Sequence, residues 1–199
     1  MNKKRCQWAE GKNAAYMAYH DTEWGVPVYD DRKLFEFVVL EGAQAGLSWE
    51  TILNRCEGYR KAFKKFDPKK VAKMTQGDVE ALMQDSGIIR NKLKINSTIT
   101  NAQAFLLIQK EFGSFSNYMW SYVHHKPLQN KLKLKGEIPI FDVIASELSK
   151  DLKRRGFKFF GPTICYAHMQ AVGMVNDHTI DCFRHREVRE LYAQSPTYK

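Results

Sequence analysis

Apolar residues recur at helical spacing through most of this chain, and capping residues, glycines and prolines divide them into short segments. Leu34, Phe37 and Val38, for example, follow the i, i+3, i+4 spacing that places side chains on one face of an α-helix. Glycine (12) and proline (6) together are about 9% of the 199 residues, below the typical value of ~12%. The pattern therefore predicts an all-α fold in which strand content is small.

Capping signals locate the individual helices. The predicted helices span residues 13–23, Asp30 or Asp31 to Gly46, Ser48 to Phe63, a short segment after Asp67-Pro68, Thr75 to Met83, 91–111, a segment around Tyr118 to Tyr122, 141–155, 161–173, and a short helix in the C-terminal tail. Residues 124–139 are predicted to form a basic loop.

The charge balance is strongly positive. There are 31 Lys and Arg residues against 22 Asp and Glu, a formal net charge of +9 and a pI near 9.3. A balance of this kind favours a polyanionic partner, nucleic acid first. No apolar run reaches the ~18 residues of a membrane span, and the basic N-terminal segment lacks the apolar stretch of a signal peptide. We therefore expect a cytoplasmic protein with no membrane partner.

The four cysteines fall into two pairs. Cys56 and Cys165 lie inside apolar-periodic segments and are expected to fill the core. Cys6 and Cys182 lie in polar segments near the two ends of the chain. Since a reducing cytosol disfavours disulfides, the second pair is either buried filler or a pair of metal ligands.

A Cys2His2 metal site can be drawn from these two ends. His178 and Cys182 are four residues apart, which on a helix would place them one turn apart on one face. Together with Cys6 and His20 they would suit tetrahedral zinc in a closed, structural site that ties the termini together. Spacing alone favours the simpler interpretation, a surface histidine and a buried cysteine. The other histidines are expected to be solvated loop residues (His124, His125 and His185) or an ordinary helix-face residue (His168).

Two segments follow the pattern helix, short glycine hairpin, helix. The first runs from Leu82 to Lys94 around Gly87, and the second from Arg155 to Cys165 around Gly161. Such a hairpin presents backbone N–H groups and a helix start, which can hold a phosphate. For a single hairpin, an ordinary turn between two helices is the simpler interpretation.

Both hairpins in this order, in a basic all-α chain, resemble the helix–hairpin–helix DNA glycosylase superfamily. Three further segments are similar to the DNA-3-methyladenine glycosylase I family, the Tag type: residues 6–8 with 16–27 (CQW and YMAYHDTEWGVP), residues 40–49 (LEGAQAGLSW), and residues 155–161 with 175–178 (RGFKFFG and VNDH). The resemblance covers about residues 5–183, and residues 184–199 form a tail that carries no recognised motif.

The resemblance implies a helix–hairpin–helix glycosylase fold as a single unit, residues 1–199, with two helical lobes. One lobe would contain both termini and the metal site, and the other the central helices, about 67–125. The family holds a structural zinc with two cysteines and two histidines. The matching positions are Cys6, His20, His178 and Cys182, so the resemblance turns the balance in favour of zinc.

The family substrate is adenine methylated at N3, which is cationic in the duplex and has a labile glycosidic bond. The enzyme must therefore select and hold the base more than activate it, through cation–π contact and one carboxylate. The resemblance implies that Glu41 is the catalytic carboxylate and that Trp49, Tyr16 and Tyr19 bind the base. The alternative is core packing for the aromatics and a partly exposed helix end for Glu41.

A flipped base leaves a gap that a side chain must fill. The loop after Glu41 supplies two wedge candidates, Leu47 first and Gln44 second, with core packing as the alternative for Leu47. The DNA-backbone candidates lie at the hairpins: Lys92, Lys94, Lys158 and Gly161.

Two positions depart from the wider superfamily. Asn176 matches the position where many members carry an assisting aspartate, with Asp177 next to it, and Thr163 matches the slot of a Schiff-base lysine. A monofunctional monomer that acts on double-stranded DNA and releases free 3-methyladenine is the resulting expectation. The alternative is a zinc-stapled helical DNA-binding module without catalysis.

Overall fold

The computed structural model describes residues 3–192, which form eleven α-helices and one pair of short strands. The helices are α1 (Ala14–Thr22), α2 (Asp31–Gln44), α3 (Trp49–Leu53), α4 (Cys56–Ala62), α5 (Pro68–Val71), α6 (Gln76–Leu82), α7 (Lys92–Phe112), α8 (Phe115–Ser121), α9 (Val143–Arg154), α10 (Pro162–Ala171) and α11 (Phe183–Tyr192). The strands β1 (Leu128–Gln129) and β2 (Val175–Asn176) pair in parallel, with Leu128 opposite Val175. The prediction of a mostly helical chain is confirmed.

The predicted capping residues begin their helices. Asp30 accepts a hydrogen bond from the Lys33 N–H, and Ser48 accepts one from the Thr51 N–H. Thr75 forms a full capping box with Asp78. Each bond satisfies a helical N–H that has no partner within its own helix.

The prediction of one helix from Ser48 to Phe63 is wrong. The helix ends at Leu53 and a new one begins at Cys56, with Arg55 outside helical geometry at φ −113° and ψ 5°. The break redirects α4 toward the first hairpin, where the Tyr59 hydroxyl accepts a hydrogen bond from the Ile89 N–H at 3.2 Å. A tertiary contact therefore overrides a helical pattern that is continuous in the sequence.

Helix α2 lies at the centre of the core. Every residue from Leu34 to Ala43 is buried, and the helix packs against α7, α8 and α10. A helix that is buried on all sides is typical of a core position. Its C-terminal half therefore carries Glu41 into the interior.

The buried apolar residues form one continuous cluster that includes Cys165, with Cys56 half-buried against it. The division into two lobes stays a prediction. No helix within residues 3–192 is long and apolar enough to cross a membrane.

The backbone that follows α10 packs closely against the segment that follows α1. Gly173 has φ +73°, and a Cβ there would lie 2.5 Å from the backbone nitrogen of Pro27. The Val28 N–H also donates to the Val172 carbonyl at 3.0 Å. Only glycine combines this conformation with this contact, and the chain beyond it then runs along the segment that follows α1.

Candidate functional site

A cavity of about 210 Å³ opens between the N-terminal segment, α1, α2, α3 and α10. The residues that line it are Trp8, Tyr16, Tyr19, Trp24, Glu41, Gln44, Trp49, Ile138, Ala167 and Gln170. The structure thus brings Glu41 together with all three aromatic residues predicted from the sequence, and with Gln44.

Of the described residues, Glu41 is the one carboxylate in the cavity wall, and it is only 2% exposed. Its Oε2 lies 2.7 Å from Nδ1 of His168, which is fully buried. Burial raises the pKa of Glu41 above its usual value, and the hydrogen bond with His168 acts in the opposite direction. The acid is therefore an interior group with a partner, and its interpretation as a partly exposed helix end is wrong.

Aromatic rings form most of the remaining wall. Tyr19 and Trp49 have ring centroids 5.3 Å apart, and Trp8 makes edge contacts with Tyr16 at 5.7 Å and Trp24 at 4.8 Å. The Trp49 Nε1 is buried without a hydrogen-bond partner in the described part of the chain. Such a wall offers π faces to a flat cation.

Sequence reasoning missed part of this cavity. Trp8 and Trp24 lie in the quoted family motifs but were given no role, and Ile138, Ala167 and Gln170 carried no signal. His168 was expected to be an ordinary helix-face residue, whereas it bonds Glu41. Its position at i+3 from the buried Cys165, on the apolar face of α10, is the signal that could have identified it.

The loop between α2 and α3 projects from the cavity mouth. Gly46 has φ +78°, which allows a tight turn in which the Leu47 N–H donates to the Gln44 carbonyl at 2.6 Å. Leu47 is 39% exposed, so core packing does not describe it. The Lys94 ammonium donates to the carbonyls of Ala43 and Ala45, both at 2.7 Å. Lys94 therefore holds this loop, a different position from the one expected of a free phosphate contact.

The four predicted metal ligands meet in one buried cluster. The ligand atoms of Cys6, His20, His178 and Cys182 all lie within 4.8 Å of one another. Cys6 Sγ is 3.5 Å from His178 Nδ1, and Cys182 Sγ is 3.5 Å from His20 Nε2. Around a tetrahedral zinc, sulfur and nitrogen ligands stand about 3.5 Å apart. This donor set could therefore hold a metal ion.

Hydrogen-bond partners outside the cluster orient the imidazole rings of both histidines. The outer nitrogen of His20, Nδ1, is 2.8 Å from Asp21, which itself accepts three bonds from Arg5. The outer nitrogen of His178, Nε2, is 3.0 Å from the Trp24 carbonyl. Outer partners of this kind set the tautomer that leaves a lone pair for a metal.

Thiolate formation is also favoured in the cluster. A hydrogen bond from the Cys6 thiol, with a further lowering effect of the adjacent His178 and His20 side chains, holds the pKa of Cys182 well below its usual range, against the effect of burial. The bond between the thiols raises the pKa of Cys6, as does burial.

The helical spacing expected for His178 and Cys182 is not observed. Residues 177–182 lie outside the helices, with the Cys182 N–H bonded to the Thr179 carbonyl at 2.8 Å, and α11 begins at Phe183.

The cluster and the cavity share a wall. The ring of Trp24 lies 4.6 Å from that of His178, and the ring of Trp8 lies 5.1 Å from that of His20. Both tryptophans line the cavity on their other side. An ion in the cluster would therefore fix two side chains of the cavity as well as the chain ends.

The second hairpin is tied to α7 by a buried side chain. Asn101 accepts a bond from the Lys158 N–H at 2.8 Å and donates to the Lys158 carbonyl at 3.0 Å. Phe159 has φ +54°, and Gly161 begins α10 with Pro162 in its first turn. The side chains of Lys158 and Lys92 and the residue Gly161 are exposed, so they remain candidates for phosphate contact.

Asn176 and Asp177 lie outside the cavity. Asn176 donates to Gln129 and to the His185 carbonyl. Asp177 is fully buried and accepts bonds from Asn130, Tyr166 and Gln170. Thr163 is exposed on α10. Of these partners only Gln170 lines the cavity, so Asp177 holds the wall from behind.

His185 also differs from its expected position in a solvated loop. It lies on α11, is half-buried, and is 3.1 Å from the Asn130 carbonyl through Nε2. The tail therefore carries a helix to Tyr192, and the end of the predicted tail, residues 193–199, lies outside the described residues.

Comparisons with known proteins agree with this geometry. The family model of methyladenine glycosylases matches residues 8–185. The chain is 49% identical over 178 residues to a DNA-3-methyladenine glycosylase from Haemophilus influenzae, covering 89% of this chain and 96% of that one. It is 50% identical over 179 residues to DNA-3-methyladenine glycosylase 1 from Escherichia coli, covering 90% and 95%.

A solved structure shows the same fold. The crystal structure of a tyrosine variant of 3-methyladenine DNA glycosylase I in complex with 3-methyladenine is 40% identical to this chain, with a TM-score of 0.87. The match covers 90% of this chain and 96% of that one.

Proposed function

Because the chain belongs to the methyladenine glycosylase family of N-glycosyl hydrolases in DNA repair, we propose that it excises 3-methyladenine from duplex DNA. The target nucleotide is flipped out of the helix, its base enters the cavity, and hydrolysis leaves an abasic site. The observation that carries this proposal is a buried carboxylate, Glu41, in a wall that is otherwise mainly aromatic.

This wall matches the charge of the substrate. N3-methylation gives the adenine a positive charge while it is attached to the sugar, and that charge disappears when the bond breaks. Trp49, Tyr16 and Tyr19 offer π faces to the cation, and the Glu41 carboxylate supplies the opposite charge. An unmodified adenine is neutral and gains neither interaction to the same extent, which is the basis of selectivity.

Duplex DNA reaches the cavity along the exposed loop and the hairpins. Leu47, with Gln44 behind it, fills the gap that the flipped base leaves in the stack. Lys92, Lys158 and the backbone at Gly161 contact phosphates, in the arrangement of a helix–hairpin–helix protein. Lys94 supports this surface by holding the Ala43 and Ala45 carbonyls.

The enzyme is monofunctional in this proposal. A lyase reaction needs an amine that forms a Schiff base with the sugar, and among the described residues that line the cavity there is no lysine. The glycosidic bond is therefore cleaved by water, and the products are free 3-methyladenine and an intact strand with an abasic site.

The ion held by Cys6, His20, His178 and Cys182 is zinc, and its role is structural. Thiolate and imidazole donors suit this ion, and all four tetrahedral positions are filled by protein. The ion therefore supplies folding free energy and takes no part in hydrolysis. A cytoplasmic location and a monomeric state complete the proposal.

The decisive experiment incubates the protein with duplex DNA that carries 3-methyladenine, with unmethylated duplex of the same sequence as the control. We expect free 3-methyladenine to be released and the strand to stay intact until the abasic site is cleaved with hot alkali. Strand cleavage by the protein alone would refute the monofunctional assignment. Failure to release the base from folded protein would refute the proposed substrate.

A further inference from the structure

A buried histidine stands directly behind the Glu41 carboxylate. His168 lies on α10, 127 positions along the chain from Glu41, and its Nδ1 is 2.7 Å from Glu41 Oε2. Both side chains are almost fully buried, at 0% and 3% exposed. His168 does not line the cavity, so it can act on a bound base only through Glu41.

The other ring nitrogen of His168 has apolar surroundings. Its Nε2 is buried and has no hydrogen-bond partner in residues 3–192. The ring centroids of Phe160 and Phe37 lie 5.3 and 6.5 Å from the ring centroid of His168, in edge-to-face orientation. A buried N–H without an acceptor is rarer and costlier in proteins than an unpaired acceptor, so the proton belongs on Nδ1 and Nε2 keeps a lone pair.

From this geometry we infer that His168 is a positioning residue, a neutral Nδ1–H tautomer that donates to Glu41 and keeps it ionised in a cavity with a net negative charge. A charged imidazolium would neutralise the pair and cancel the attraction for a cationic base. A carboxylic acid bonded to a bare Nδ1 would place the proton of the imidazole on Nε2, without an acceptor. The inference rests on the proposed function, because it gives a reason for selectivity toward a cationic base.

The charge of Glu41 also affects the pKa of two further ionisable side chains. Burial raises the pKa of Tyr19 on α1 and of Cys165 on α10, and the Glu41 carboxylate raises both further. Both groups are therefore neutral near pH 7. Among the described residues, His168 is the group whose hydrogen bond lowers the pKa of Glu41, against the effect of burial.

Two variants separate donation from packing. In His168→Asn the amide nitrogen takes the position of Nδ1 and keeps the donor, and in His168→Leu the donor is lost. Excision requires ionised Glu41, so the rate falls as pH drops through the pKa of Glu41. Loss of the donor raises this pKa. The acidic limb of the plot of excision rate against pH should therefore move upward by about one to two pH units in His168→Leu. His168→Asn should keep the limb of the parent.

His185→Leu is the matched control, since it removes a hydrogen-bonded histidine on α11 and should leave the limb in place. Superimposable limbs for His168→Leu and the parent, or equal shifts in the Asn and Leu variants, would overturn the inference. Should His168→Leu fail to fold, the His168→Asn profile and the imidazole spectrum below decide the question.

Nitrogen NMR of the imidazole in the resting enzyme tests the tautomer without any assay of activity. We expect a protonated Nδ1 and a bare Nε2 for His168 at pH 7. An imidazolium, or an Nε2–H tautomer, would overturn the inference even if 3-methyladenine is released. If the spectrum is as expected but the parent releases no base, the proposed function fails and the tautomer assignment stands.

Discussion

Glu41 occupies an unfavourable position for a charged side chain. It lies on a helix that is buried on all sides, and burial alone would drive it to the neutral form. One hydrogen bond from α10 offsets this cost in part. A cationic ligand would stabilise the charge further, which fits the proposed preference of the site for a positively charged base.

Replacing Glu41 with glutamine keeps the size of the side chain and removes the charge. We expect 3-methyladenine excision to fall roughly ten- to a hundredfold, because a hydrogen bond to a charged group contributes about 1.5–3 kcal/mol. Binding of duplex DNA with a neutral abasic-site analogue should change little. Single-turnover excision and equilibrium binding measure the two effects. Glu80→Gln, on the exposed face of α6, is the control, and rates for Glu41→Gln equal to this control would remove Glu41 from the mechanism.

Leu47 is exposed at the tip of a loop whose other residues are held in place. If it is the wedge, Leu47→Ala should weaken excision from duplex DNA while thermal stability stays within about 0.5 kcal/mol, as is usual for surface substitutions. Leu107→Ala is the matched control, since Leu107 is 65% exposed on α7. Full duplex activity in Leu47→Ala would transfer the role to Gln44 or refute a wedge in this loop.

At the scale of elements, the metal cluster joins segments that have no helix in common. Cys6 precedes α1, His20 is within it, and His178 and Cys182 lie in the turns between β2 and α11. Since Trp8 and Trp24 lie between the cluster and the cavity, metal binding and base binding share a wall. Loss of the ion should therefore affect both the chain ends and the cavity.

Cys182→Ala tests this coupling. We expect less than one equivalent of zinc in the chelator-washed variant, a loss of about 4 kcal/mol or more in unfolding free energy, and weaker binding of 3-methyladenine. Elemental analysis, thermal unfolding and ligand titration measure these effects. Cys56→Ala, at a half-buried cysteine outside the cluster, should keep its zinc. A parent protein with well under one equivalent would exclude the site.

Across the whole molecule, charge is distributed with opposite sign at the surface and in the cavity. The chain carries a net charge of +9, whereas the cavity wall holds a single acid among the described residues. In the proposed function, basic surface charge attracts DNA regardless of its sequence, and the cavity then selects the base by its own charge. Attraction and selectivity are thus separable in experiments.

Duplex affinity should fall steeply as salt rises, because phosphate contacts release counterions. Lys158→Gln should reduce the slope of log K against log salt by about one and leave selectivity for the base unchanged. Binding titrations between low and physiological ionic strength measure the slope. Lys73→Gln, an exposed lysine between α5 and α6, is the control. A flat salt dependence in the parent would contradict binding through phosphates.

The sequence by itself determined what depends on neighbours along the chain. The helix starts at Asp30, Ser48 and Thr75 follow from hydrogen bonds over three residues. The family motifs pointed to Glu41, Trp49 and the four predicted metal ligands, and the structure gathers these residues at the cavity and the cluster. Capping hydrogen bonds and short motifs involve residues that are close in the sequence, so they can be identified without knowledge of the fold.

Tertiary structure alone decided the contacts between distant segments. Helix α3 ends at Leu53. The Lys94 ammonium bonds the carbonyls of Ala43 and Ala45. His168 bonds Glu41, which is 127 positions away in the sequence. Periodicity reports which face of a helix is buried but not which side chain it meets there. The partner of a buried polar group is set by how the helices pack, and here that packing fixes the charge of the cavity.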